Sequence, residues 1–156
     1  YKDICVVTNL PYYITSKIIT KIVSSSTPIN RLVAMVQKEV ALKLCSEEKS
    51  PLKMMIDYVG DVQYELNVPR HVFMPAPHVD SAVISIHKER VISQELIDLI
   101  EASYTAKRKT LYNNLKPLYH DQTKEVLESC GIPANKRAEE LNIEDYIKIL
   151  ERSHTL

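Results

Sequence analysis

Glycine is nearly absent: the 156 residues hold only Gly60 and Gly131. A nucleotide-binding α/β domain ordinarily opens on a glycine-rich turn that lets the backbone approach a phosphate, with an acidic residue further on. Neither is here, and the chain starts on Tyr1 in the approach to a strand. The expectation is that this is the C-terminal part of a longer protein. Cysteine is scarce as well. Cys5, Cys45 and Cys130 are too far apart for a zinc knuckle or a CxxC pair and are odd in number. They read as small core residues in a reducing, cytoplasmic compartment. His71, His78, His87, His120 and His154 are scattered without metal-ligand spacing, so no metal is expected. No signal peptide and no apolar run long enough to span a bilayer occur, which argues against a membrane partner. Charge of either sign is not in excess, with 20 Lys and Arg against 20 Asp and Glu. Any nucleic-acid signal must therefore be local. There is no internal repeat and no low-complexity tract.

What is present is an ordinary apolar fraction of 45% and a change of pattern near residue 90. Residues 4–8, Ile-Cys-Val-Val-Thr, read as a buried strand. Thr15 or Ser16 suits the cap of a helix with Ile18, Ile19, Ile22 and Val23 on one side. Residues 31–37 read as a second strand buried on both faces, 38–44 as a short helix and 46–51 as a charged loop. A strand over 54–66, bent at Gly60-Asp61, is followed by a proline loop over 68–77 and a strand over 81–86. With no helix between them, the last two strands are expected to pair antiparallel at the end of a mostly parallel sheet. Beyond residue 91 four helices are expected. One begins at 95. Two more cover 111–118 and 123–129, the second ending at Gly131. The last, over 143–152, is capped by Asn142 with Asp145 three residues on. The domains are thus 1–90, α/β, and 91–156, all-α.

Two stretches carry chemistry. Asn9-Leu10-Pro11-Tyr12 follows the first strand and precedes the first helix, the place where ligands sit in open α/β sheets. Asn9 offers a side-chain carbonyl and amide, Pro11 stiffens the turn and extends Leu10 so that the backbone carbonyl of Leu10 or Pro11 is a further candidate acceptor, and Tyr12 adds a flat ring. Acceptors beside a ring suit a planar group with an exocyclic amine, such as adenine. The second stretch runs from Ala102 to His120. It holds no acid but has Lys107, Arg108, Lys109 and Lys116, interspersed with Tyr104, Tyr112 and Tyr119. A basic stripe on a neutral protein suits phosphate contacts, and the tyrosines either stack or pack.

Several segments carry a resemblance in the right order. Asn9-Leu10-Pro11-Tyr12 resembles the amino-methyltransferase signature, and residues 36–44, Val-Gln-Lys-Glu-Val-Ala-Leu-Lys-Leu, resemble a Q-x-E-V-A-x-[RK]-L segment. Residues 73–83, Phe-Met-Pro-Ala-Pro-His-Val-Asp-Ser-Ala-Val, are similar to F-x-P-x-P-x-V-D-S-A-V. Residues 106–115 and 137–141 resemble R-[RK]-K-T-L-x-N-x-L and R-A-E-x-L. Together these resemble the ribosomal RNA adenine N6,N6-dimethyltransferases that use S-adenosylmethionine. One departure is the glycine-free stretch 45–52.

The resemblance implies the C-terminal half of a Rossmann-like methyltransferase sheet followed by a helical RNA-binding domain. It implies catalysis at Asn9, Leu10, Pro11 and Tyr12, with Asn9 also against the cofactor, and stacking of the target base by Tyr12 and Phe73. Lys107, Arg108, Lys109 and Lys116 are then the RNA contacts, and the partner is ribosomal RNA of the small subunit. The chain, lacking the cofactor half, is expected to be inactive alone. Two alternatives stand beside this: a large-subunit methylase of the macrolide-resistance type, and a non-catalytic RNA-binding or ribosome-assembly module.

Overall fold

The structure, a computed structural model, describes every residue except Tyr1, Lys2 and Leu10. The chain divides into two compact units, Tyr1–Glu48 with Ile56–Ile92 and Lys49–Met55 with Ser93–Leu156.

The first unit is built on a four-stranded sheet in the order β1-β2-β4-β3, from β1 (Ile4–Asn9), β2 (Ile29–Gln37), β3 (Gly60–Val68) and β4 (Ser81–Lys88). The β1/β2 pair is parallel, whereas β2/β4 and β3/β4 are antiparallel. Three of the four strands therefore share a direction and β4 alone runs against them, with β3 and β4 forming the expected antiparallel pair. The short β3–β4 connection forces an antiparallel pair, and β4 then inserts between β2 and β3.

Apolar alternation explains where the core lies. Leu32, Ala34 and Val36 of β2 are buried, as are Ala82, Ile84 and Ile86 of β4. Helix α1 (Thr15–Val23) adds Ile19 and Val23, and α2 (Lys38–Cys45) adds Ala41 and Leu44. Lys88 donates to the carbonyls of Ile22, at 3.3 Å, and of Ser25, tying the end of α1 to the end of β4. Burial lowers its pKa.

β1 departs from the buried strand expected of it. It lies at the end of the sheet order, alternates half-buried and exposed positions, and leaves Val7 75% exposed. Its apolar run suits a central strand, but among the described residues it pairs on one side only. The helix cap is different too. Thr15 lies inside α1, and neither it nor Ser16 is the N-cap, which is Ile14.

Residues 54–59, expected as strand, belong to helix α3 (Pro51–Val59). An apolar run of that length does not by itself separate helix from strand. The start signal decides: the Ser50 hydroxyl accepts the Lys53 N–H at 3.1 Å, and the Ser50 carbonyl accepts that of Met54 at 3.0 Å. Pro51 stands where a helix has no use for an N–H. Gly60 is no bulge. It pairs with Lys88, and a Cβ there would lie 1.9 Å from the His87 carbonyl oxygen. The register shift falls instead between Tyr64 and Leu66, where Glu65 accepts the buried Ser85 hydroxyl at 2.5 Å.

The second unit holds α4 (Gln94–Ser103), α5 (Leu111–Tyr119), α6 (Thr123–Ser129) and α7 (Ile143–Thr155). α4 packs on α5 and α7, and α6 packs on the same two. Leu99, Ile100, Leu111, Leu115, Val126, Tyr146 and Ile149 are fully buried. The caps are those the residues call for. Ser93 accepts from Leu96 at 3.2 Å, Thr110 from Asn113 at 3.3 Å, and Asn142 from Asp145 at 3.1 Å with Asp145 accepting in return. Gly131, just past the end of α6, takes the left-handed φ of 71°.

Candidate active site

β1 and β2 run parallel, and Asn9 at the end of β1 pairs with Met35 near the end of β2. Pro11 then turns the chain into a 3-10 turn, Tyr12–Ile14, that runs into α1. The Pro11 carbonyl accepts the Ile14 N–H at 3.2 Å and the Thr15 hydroxyl at 3.0 Å. Both of its lone pairs are used. It is thus committed to starting the helix and is not the free acceptor the sequence suggests. Leu10, the other backbone candidate, lies outside the described residues.

Tyr12 is half-buried, and its hydroxyl hydrogen-bonds that of Ser81, fully buried at the start of β4. The loop between β3 and β4 is closed at its base by Asp80. The Asp80 carboxylate accepts the Arg70 N–H at 2.9 Å, and its carbonyl accepts the Lys38 N–H at 3.0 Å. The Arg70 guanidinium also donates to the His78 carbonyl at 3.1 Å. This brace, with Pro75 and Pro77, presents Phe73 half-buried; the Met74–Pro75 bond is cis.

The result is an open cavity of about 420 Å3 lined by Asn9, Pro11, Tyr12, Met35, Phe73, Pro75 and Pro77. Asn9, Pro11, Tyr12 and Phe73, singled out on separate stretches of sequence, meet there. Two aromatic rings, a thioether and prolines supply apolar walls, and one amide supplies an acceptor and a donor. That suits a flat heteroaromatic group with an exocyclic amine. Ser81 and Asp80 carried no assigned role in the sequence. The signal was their place in the Val-Asp-Ser-Ala-Val run, where one positions Tyr12 and the other closes the loop. A larger groove of about 700 Å3 lies along Lys38, Lys43 and Arg70, but Glu39, Glu48 and Asp80 line it too and no ring does.

In the helical unit, Lys107, Arg108 and Lys109 are exposed, and they sit in the turns between α4 and α5 rather than on a helix. Lys116 alone lies on α5, also exposed. Asn114 holds the turn from below. Its amide donates to the carbonyls of Ser103 at 2.8 Å and Ala106 at 3.1 Å, and its oxygen accepts the Ala106 N–H at 3.3 Å. Tyr104 and Tyr119 are half-buried, and burial raises both their pKa values. The 137–141 segment is structural: Ala138 and Leu141 are buried, and the Arg137 N–H donates to Glu140 at 2.8 Å, which lowers that carboxyl's pKa.

Among the described residues no group of three or more His, Cys, Asp or Glu is placed to hold a metal, and no helix is long and apolar enough to cross a membrane.

Comparison with known proteins bears on the same residues. The family described as ribosomal RNA adenine dimethylase matches residues 1–154. A Fusobacterium nucleatum protein named ribosomal RNA small subunit methyltransferase A is 37% identical over 158 residues, covering 94% of this chain and 60% of that protein. One of the same name from Mesoplasma florum is 33% identical, covering 97% of this chain and 61% of that protein. The chain therefore spans about three fifths of the length of these curated relatives. Among solved structures, a dimethyladenosine transferase from Plasmodium falciparum superposes with a TM-score of 0.82 at 24% identity, covering 97% of this chain and 66% of that one. The 23S rRNA methyltransferase ErmE gives 0.67 at 21% identity, with coverages of 98% and 66%. These two likenesses speak to the fold.

Proposed function

The chain belongs to the ribosomal RNA adenine dimethylase family, and from that footing we propose that it carries the adenine side of an S-adenosylmethionine-dependent enzyme that dimethylates adenine N6 in small-subunit ribosomal RNA. The observation that carries this reading is the cavity where Asn9, Tyr12 and Phe73 meet. The four-stranded sheet is then the C-terminal half of a Rossmann-like methyltransferase sheet, 1–90, and 91–156 is an RNA-binding helical domain. Main contacts to the cofactor come from the part of the relatives' length that this chain does not cover, and residues 1–156 alone are inactive.

Adenine N6 is a weak nucleophile because its lone pair is delocalised into the ring. To attack a methyl group it must become tetrahedral and gain positive charge. Asn9, exposed at the end of β1, aims a side-chain oxygen at that charge, and a preorganised acceptor lowers the barrier because it need not reorient. The Pro11 carbonyl is spent on the helix, so the side chain and the Leu10 carbonyl carry this role. Tyr12 and Phe73 hold the flipped-out base by its faces, and the Ser81 hydroxyl sets the tilt of the Tyr12 ring. The cofactor would supply the activated methyl group, and Asn9 would help to hold it. Lys107, Arg108, Lys109 and Lys116 neutralise RNA phosphates.

The names of the curated relatives favour the small subunit over the large-subunit alternative. The test is product analysis. The enzyme in which this chain is joined to its cofactor half, incubated with S-adenosylmethionine and unmodified small subunits, yields N6,N6-dimethyladenosine in small-subunit rRNA. Modification of large-subunit rRNA instead, or of neither, would overturn the assignment.

A further inference from the structure

Two side chains beside the cavity expose apolar surface for which the adenine pocket has no use. Met74 is 99% exposed although it stands between Phe73 and Pro75, both of which line the cavity. Tyr13 is 86% exposed and directly follows Tyr12, the other aromatic wall. Each wall of the pocket is thus followed in sequence by an apolar residue facing solvent.

The Met74 loop is not a loose connector. Its base is closed by the Arg70–Asp80 and Arg70–His78 hydrogen bonds, and Pro69, Pro75 and Pro77 stiffen it. Residues 66–79 contain no acid, while Arg70, His71 and His78 flank the apolar tip. A stiff loop with Arg70 at its base, its one acid, Asp80, engaged by the Arg70 N–H, and a bare thioether at its tip has the chemistry of a wedge entering a stack of bases. Proteins that unstack nucleic acid insert Met, Leu, Phe or Pro side chains in this way. Taking a base out of a stack leaves a gap, and a side chain that fills it offsets part of the unstacking cost.

We propose that Met74 fills the gap in the RNA stack left by the flipped adenine and that Tyr13 is the platform on which the adjoining base stacks. The proposal rests on the adenine-flipping reading above and assigns the two neighbours of the target base to residues outside the pocket.

Fluorescence anisotropy with two labelled rRNA hairpins separates the two ideas. One hairpin carries the target adenine, located as the methylated position in the product; the other carries an abasic nucleotide there. The abasic RNA has nothing for the pocket to hold, yet its stack still has a gap. Met74→Ala and Tyr13→Ala are expected to weaken binding of both RNAs about ten-fold, the order expected for removing one stacked side chain, while Met74→Leu and Tyr13→Phe bind normally. Phe73→Ala is expected to weaken the adenine RNA alone. Met74→Ala binding both RNAs normally overturns the wedge, and so does a loss confined to the adenine RNA, which would place Met74 in the pocket. The same two outcomes for Tyr13→Ala overturn the platform. If Phe73→Ala binds both RNAs normally, the clamp reading fails, and the abasic arm still decides the wedge.

Discussion

Tyr12 shows how a single residue divides its work between ring and hydroxyl. The ring lines the cavity, and the hydroxyl is tied to buried Ser81. Tyr12→Phe keeps the ring but leaves the Ser81 hydroxyl without its partner, which costs about 1 kcal/mol and lets the ring rotate. Both Tyr12→Phe and Ser81→Ala are expected to slow methylation several-fold. The double variant should be no slower than either single one, because both remove the same bond. A double-mutant cycle on single-turnover rates checks this. At Tyr146 the consequence is pH dependence. The side chain is fully buried, its hydroxyl reaches the Ala138 carbonyl at 3.4 Å, and burial pushes its pKa well above the usual tyrosine value of 10.0. In the unfolded chain the phenol loses its proton near that usual value, while in the folded unit it keeps it. The stabilisation is thus complete below about pH 10 and is lost as pH rises above it. Thermal melts followed by circular dichroism should fall steeply above that pH, and less steeply in Tyr146→Phe.

At the scale of elements, legibility followed the strength of local signals. The four C-terminal helices were readable because Asn142 with Asp145 and the Gly131 stop are local hydrogen-bonding and backbone features. The strand wrongly expected over 54–59 shows the opposite case, since its apolar residues fit either state and the Ser50 hydrogen bonds that decide for the helix are seen only in three dimensions. The half-exposed state of β1 depends on what lies beside it, which its own residues do not encode. In the site, Asn9, Tyr12 and Phe73 were legible as residue types in motifs. The spent Pro11 carbonyl and the Tyr12–Ser81 bond were not, since both depend on three-dimensional partners.

Gly60 gives an element-level test. Gly60→Ala drives a Cβ into the His87 carbonyl and is expected to cost about 3 kcal/mol, the upper end for overpacking. Replacing exposed Asp61 next to it should cost little, and urea melts distinguish the two. The turn holding Lys107, Arg108 and Lys109 gives another. Changing all three to Ala should weaken RNA binding and reduce the salt slope by about 0.7 for each phosphate of single-stranded RNA that is no longer neutralised. Affinities measured over a range of salt concentration report this; an unchanged slope would make these residues a solvated turn and no more.

For the whole molecule, two units carry two kinds of chemistry. The sheet unit holds a small apolar cavity with one amide, and the helical unit holds an exposed basic turn on a packed four-helix core. The family match runs over residues 1–154, and the curated relatives are longer than this chain. In the function proposed above, Asn9 acts on the reacting nitrogen and Phe73 on the base. The measurement that separates those roles is single-turnover methylation of the rRNA at saturating cofactor over a range of RNA concentration. Asn9→Ala should lower the maximal rate on the order of a hundred-fold with RNA affinity nearly unchanged. Phe73→Ala should instead weaken RNA binding by roughly 1–3 kcal/mol. An Asn9→Ala enzyme that transfers methyl groups at the normal maximal rate would contradict the central role given to that amide.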